Sequence, residues 1–196
     1  MDAQEFVDTI SSENKTALSR LGSSKALYAL TGGEMDEGPI LAGAADRAHY
    51  AFETVDGWEG DAFETAADTA REHYETIVDE HGDHEPGERP AMFETLAEQD
   101  ETAARLGGLV GWTLVAKKTF EQLTGFFVGQ ADPQTSQVFR DLGGDIEELR
   151  QAALDALAED GDWDAAETAA SAVVQAAYED YFETLEALGV NPKPVC

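Results

Sequence analysis

TAARLGGLVGWTLVAKKTF, residues 102–120, has no acidic side chain in a chain that carries 41 of them. From Thr102 to Arg140 only Glu121 and Asp132 break the pattern. Between residues 106 and 128 the apolar side chains fall on every side of a helical wheel rather than along one stripe. A helix apolar all round is enclosed by other helices, so this stretch reads as the central rod of an all-α fold. Gly107 and Gly111 would let a neighbouring helix come close. The pair Gly107-Gly108 also reads as a break within a helical region covering about 91–129.

Outward from this rod, alanine- and glutamate-rich segments of helical period alternate with Gly and Pro punctuation. A first helix is expected over about 4–30, with Phe6, Ile10, Ala17, Leu21 and Tyr28 on one face and Thr31-Gly32-Gly33 as its stop. A second covers about 39–54 and opens on Pro39; Ile40, Leu41, Ala44, Ala48 and Phe52 form its apolar side. A third covers about 61–81. The loop HGDHEPGERP, 81–90, closes this half. Asp132-Pro133 opens a helix to about 159, and Trp163 opens another to about 188. No useful strand pattern interrupts them. Short connections favour antiparallel neighbours, so the expected fold is an antiparallel helical bundle, one domain over 1–188 with an irregular tail over 189–196.

The 41 acidic residues face only 12 basic ones, for a formal net charge of −29. Hydrophobic residues make up 42% of the chain, which sets it apart from an acidic disordered segment. Such self-repulsion is relieved where counterions are dense, which points to the cytoplasm of a halophile. Nucleic acid is excluded as a partner because phosphate binding needs clustered Lys and Arg. No run of 18 apolar residues reads as a membrane span, and no secretory signal is visible at the N-terminus. One cysteine, Cys196, leaves no internal disulfide and no four-thiolate metal site. The physiological partner is unknown; a homodimer would follow if one chain left the central apolar segment uncovered.

A second acid-free window, NKTALSRLGSSKALYALTGG, spans residues 14–33. The two windows hold six of the twelve basic residues: Lys15, Arg20, Lys25, Arg105, Lys117 and Lys118. Burial of the backbone explains the missing acid most simply. Buried cations need partners, and Lys117 stands four residues from Glu121, at pairing distance on a helix face. The alternative is a cleft in which Arg20, Lys25 or Lys117 grips an anion.

The segments LSRLGSSKALYALTGGEM (18–35) and RLGGLVGWTLVAKKTFEQLTGFFVGQADPQTSQVFRDL (105–142), with the ending GVNPKPVC, resemble a haloarchaeal family grouped with the rubrerythrins. The resemblance implies a ferritin-like four-helix core with additional C-terminal helices, which in the rubrerythrins holds two irons and reduces peroxide. Such a site takes a Glu from each of two helices and a Glu-x-x-His from each of the others. This chain has no Glu-x-x-His. Its nearest approach is Asp46-x-x-His49, and Ala70 stands where His73 would need a glutamate. The candidate metal ligands are Glu13, His49, His73 and Glu121, with iron or manganese as the metal; no metal at all is the alternative. On the wheel, Asp46 lies opposite its apolar stripe, His49 lies off it, and Glu13 and His73 sit at the edges of theirs.

Three functions compete at this point: a metal-handling or redox bundle with a degenerate di-iron site, a non-catalytic interaction or scaffold bundle without metal, and an enzyme that binds a small anion between helices. The cluster His81-Gly82-Asp83-His84-Glu85 lacks the spacing of a metal motif and reads as a solvated loop.

Overall fold

The central rod is a continuous helix. In the computed structural model, described for residues 1–193, nine helices and no strand occur among the described residues. In chain order they are α1 (Ala3–Glu13), α2 (Lys15–Leu21), α3 (Ser24–Leu30), α4 (Glu37–Val55), α5 (Asp61–His81), α6 (Ala91–Ala97), α7 (Thr102–Gly129), α8 (Pro133–Asp160) and α9 (Trp163–Ala187). Residues 106–116 of α7 are all buried. They lie between α8, reached by the turn at 130–132, and α9. The hairpin of α4 and α5 packs on this layer, chiefly through α5 against α8, and α6 lies on α9. The apolar rod is thus covered within one chain, so an uncovered segment gives no reason for a homodimer.

Gly107-Gly108 does not interrupt α7; the break falls earlier, at 98–101. The glycines are required by a neighbour instead. A Cβ on Gly107 would lie 2.1 Å from the carbonyl oxygen of Ala166, and one on Gly111 would lie 2.5 Å from that of Ala170. Rows of small residues four apart on α7 and α9 therefore interlock at backbone contact. The conformational cost of glycine in a helix, about 1 kcal/mol, is offset by packing that larger residues would block.

The expected first helix is three short ones. Asn14 ends α1 because its side chain is drawn into the core: Nδ2 donates to Ile10 O and to Ser171 Oγ, both at 3.0 Å, and Oδ1 accepts from Gln175 at 2.7 Å. Gly22 and Ser23 then turn the chain from α2 into α3. This turn is tied to α7, since Gln122 Nε2 donates to Gly22 O at 2.7 Å. At its start α8 is capped by Asp132, whose carboxylate accepts from the backbone of Gln134 and Thr135 ahead of Pro133. Residues 189–193 leave the last helix, with Gly189 at φ 71°. Cys196 lies outside the described residues.

A candidate ligand cavity beneath α3

The four residues read as metal ligands do not converge. Glu13 is the exposed last residue of α1. His49 on α4 points Nε2 at Glu53 (3.4 Å) and packs against Tyr50 and Tyr74. His73 on α5 is buried; its Nε2 stands 3.1 Å from Asp145 of α8, and its ring meets Phe120. Glu121 is exposed and pairs with Lys118 at 3.2 Å. Lys117 turns instead to Glu147 on α8, at 3.0 Å, so the expected Lys117–Glu121 pair is not formed.

Among the described residues, no three His, Cys, Asp or Glu side chains stand close enough together to hold a metal ion. Beside His73 the remaining space is about 30 Å3, walled mainly by Ala44, Ala48, Ala70, Trp112 and Ile146, with Arg47 and Thr119 at its edge and no carboxylate in its lining. Two irons need carboxylates at such positions. As placed, the residues do not fit an iron pair.

Burial lowers the pKa of His73, and the hydrogen bond and charge of Asp145, with Glu72, only partly restore it. A folded-state imidazole pKa below the unfolded one means the unfolded chain takes up the proton first. Stability is then expected to decline as pH falls from the ordinary imidazole value towards the lowered one, by up to about 1.4 kcal/mol per pH unit. Denaturant midpoints over that range should drop for the parent protein and stay flatter for His73→Leu. The reverse slope would mean that Asp145 outweighs burial.

The loop at 82–90 is largely exposed, as expected, but it is anchored through His84. The His84 side chain is 2% exposed, with Nε2 2.9 Å from Asp46 and Nδ1 3.2 Å from the Tyr74 hydroxyl. With Nε2 donating to Asp46 and Nδ1 accepting from the Tyr74 hydroxyl, both partners are satisfied. Asp46 also accepts from the Gly87 amide at 2.9 Å, while the Tyr50 hydroxyl donates to Gly87 O. Asp46 does lie opposite the core stripe of α4, as read from the wheel, but the loop covers it.

So anchored, the loop delivers Glu88 and Arg89 to the rim of a cavity of about 540 Å3. Leu27 and Leu30 of α3 form one wall; α4 supplies Arg47, α6 Glu94, α7 Thr119 and Gln122, and α9 Asp180 and Glu183. Gly43 admits α3 against α4, since a Cβ there would meet the Leu30 side chain at 2.7 Å. Lys25, at the other edge of α3, donates to the carbonyls of Asn191 and Lys193, at 2.7 and 3.2 Å.

Two cations line this cavity, and both are incompletely satisfied. Among the described residues, the buried side-chain polar atoms without a hydrogen-bond partner are Arg47 Nε and Arg89 Nε. Arg89 at least donates to Thr54 Oγ1 at 2.6 Å and lies over the Tyr50 ring. Arg47 enters none of the ion pairs among the described residues. Burial pushes its guanidinium pKa down, and the charges of Asp180 and Asp46 push it back up. Burial raises the carboxyl pKa of Asp180; the Ala91 amide at 2.7 Å and Arg47 lower it, and Glu183 and Glu94 raise it again. A guanidinium that lines a cavity outside any ion pair, its covered Nε without an acceptor, is an anion-binding arrangement.

The sequence reading missed Arg47. Ile40, Ala44 and Ala51 are buried on one face of α4 and the half-buried Arg47 shares it by spacing, so a cation placed between Ala44 and Ala51 was the available signal. Arg20, Lys25 and Lys117, read as candidate anion grips, do not line the cavity. Comparison with family models, with curated proteins and with solved structures finds no match for this chain. No helix among the described residues is long and apolar enough to cross a membrane.

Proposed function

We propose that this chain is a small-molecule-binding helical bundle that holds the anionic group of its ligand at Arg47. The observation that carries this reading is that, among the described residues, the two buried side-chain polar atoms without a partner belong to two arginines that line one cavity. Its volume of about 540 Å3 falls in the range usual for small-ligand sites. The charge balance supports work in concentrated salt, in a halophile's cytoplasm. A rubrerythrin-like, ferritin-like function with iron or manganese rests on the resemblance of residues 18–35 and 105–142. The dispersal of Glu13, His49, His73 and Glu121 gives it no support from geometry.

The test is thermal unfolding in molar potassium chloride with and without acetate, succinate or inorganic phosphate, for the parent protein and Arg47→Met. A ligand at a hundred times its Kd stabilises by about 2.7 kcal/mol, a shift of roughly 5–10 °C for a chain of this size. At least one anion should produce a saturable shift that Arg47→Met removes. Shifts identical in both proteins would reject the site. Stoichiometric iron or manganese after loading under reducing conditions, lost in His73→Ala, would favour the metal-handling function instead.

A further inference from the structure

We infer that the ligand is a small zwitterion of the amino-acid class, its carboxylate on Arg47 and its ammonium towards Asp180, Glu94 and Glu183. This rests on the anion-binding reading above and narrows it. The first ground is the charge of the cavity wall: Asp46, Glu88, Glu94, Asp180 and Glu183 line it against Arg47 and Arg89, five acids to two bases. Asp46 is engaged by His84 and the Gly87 amide, which leaves the other four facing the space or its rim.

A plain anion that reached Arg47 would have to sit among these carboxylates. Salt screens such repulsion over the outer surface, where the Debye length falls to about 3 Å at 1 M, but screens partly buried groups much less. An ammonium on the same molecule turns that repulsion into attraction.

The two kinds of charge are also layered by depth. Arg47, its Nε covered, and Asp180 on the facing helix are both half-buried. Glu88, Glu94 and Glu183 are exposed, so they ring the mouth. A ligand with its carboxylate innermost and its ammonium outward meets complementary charge at both ends. Asp180 already spends one lone pair on the Ala91 amide, and its other oxygen is free for an ammonium. Between these ends the wall is aliphatic, from Leu21, Leu27 and Leu30, which suits an amino acid with an apolar side chain.

The experiment is isothermal titration of the whole chain in molar potassium chloride with each of the twenty protein amino acids. The strongest binder is then compared with the carboxylic acid that lacks its ammonium and the amine that lacks its carboxylate. The amino acid should bind at least about tenfold more tightly than either, the worth of one well-placed charge pair. Glu94→Gln/Glu183→Gln should shrink its advantage over the acid, and Arg47→Met should remove binding of both. If the acid binds as tightly as the amino acid, indifferent to Glu94→Gln/Glu183→Gln but lost in Arg47→Met, the zwitterion is rejected and the anion site stands. If no probe binds in an Arg47-dependent way, both are rejected.

Discussion

Gly107→Ala is expected to destabilise the fold by about 3 kcal/mol or more, a large effect for a single methyl group. The added carbon would lie 2.1 Å from the Ala166 carbonyl oxygen and 2.4 Å from its Cα. These are backbone atoms, so no side-chain rotation relieves the clash, and α7 and α9 must separate along their length. Helix propensity favours alanine by about 1 kcal/mol and cannot make up the difference. Gly125→Ala, in the same helix with nothing within 4 Å of its added carbon, is the control; it should raise stability by about 0.5–1 kcal/mol. Guanidinium denaturation in molar salt reads both. Equal effects at the two positions would mean that the α7–α9 contact is looser than described. Because α9 carries Asp180, Gly107→Ala should weaken ligand binding as well.

Arg47→Met is expected to move stability the other way in the absence of ligand, up by about 1 kcal/mol, while abolishing binding. A cation whose donor is buried without a partner costs free energy that an apolar side chain of similar length does not. Part of the gain is lost again, because Asp180 and Asp46 lose a favourable charge. Asp180 should then hold its proton to still higher pH, so the gain should grow as pH falls towards the carboxyl range. Binding residues held at the expense of stability are a common mark of function. A fall in stability of 1–2 kcal/mol in Arg47→Met would instead make Arg47 a structural cation stabilised by those two carboxylates.

The helices were largely legible because their signals are local. Pro133 behind an Asp cap, Asp162 ahead of Trp163, and the glycines after the ends of α5 and α8 put four of the long helices within about two residues of expectation. Where the reading failed, a distant partner decided. Asn14 looks like an ordinary polar helix residue until Ser171 and Gln175 draw it inward. Gly107-Gly108 looks like a break until Ala166 comes to rest on it.

The candidate site was less legible for the same reason. His84 reads as solvated unless one knows that Asp46, 38 residues earlier, faces it. The cations of the acid-free windows drew notice because they stood out. Yet Lys25 goes to tail carbonyls, Arg105 to Gln99 O and the Trp58 ring, and Lys117 to Glu147. Arg47 was hidden between an acid and an alanine, and only the three-dimensional course of α3 and α9 turns it into the wall of a cavity.

The most direct test of the central claim is the arginine Nε–Hε spectrum of protein labelled with nitrogen-15 arginine, with Arg47→Met used to assign the Arg47 resonance. Titration with a carboxylate-bearing ligand should move that resonance saturably, as the Arg47 guanidinium gains an acceptor. A resonance that stays put through every titration would contradict the account.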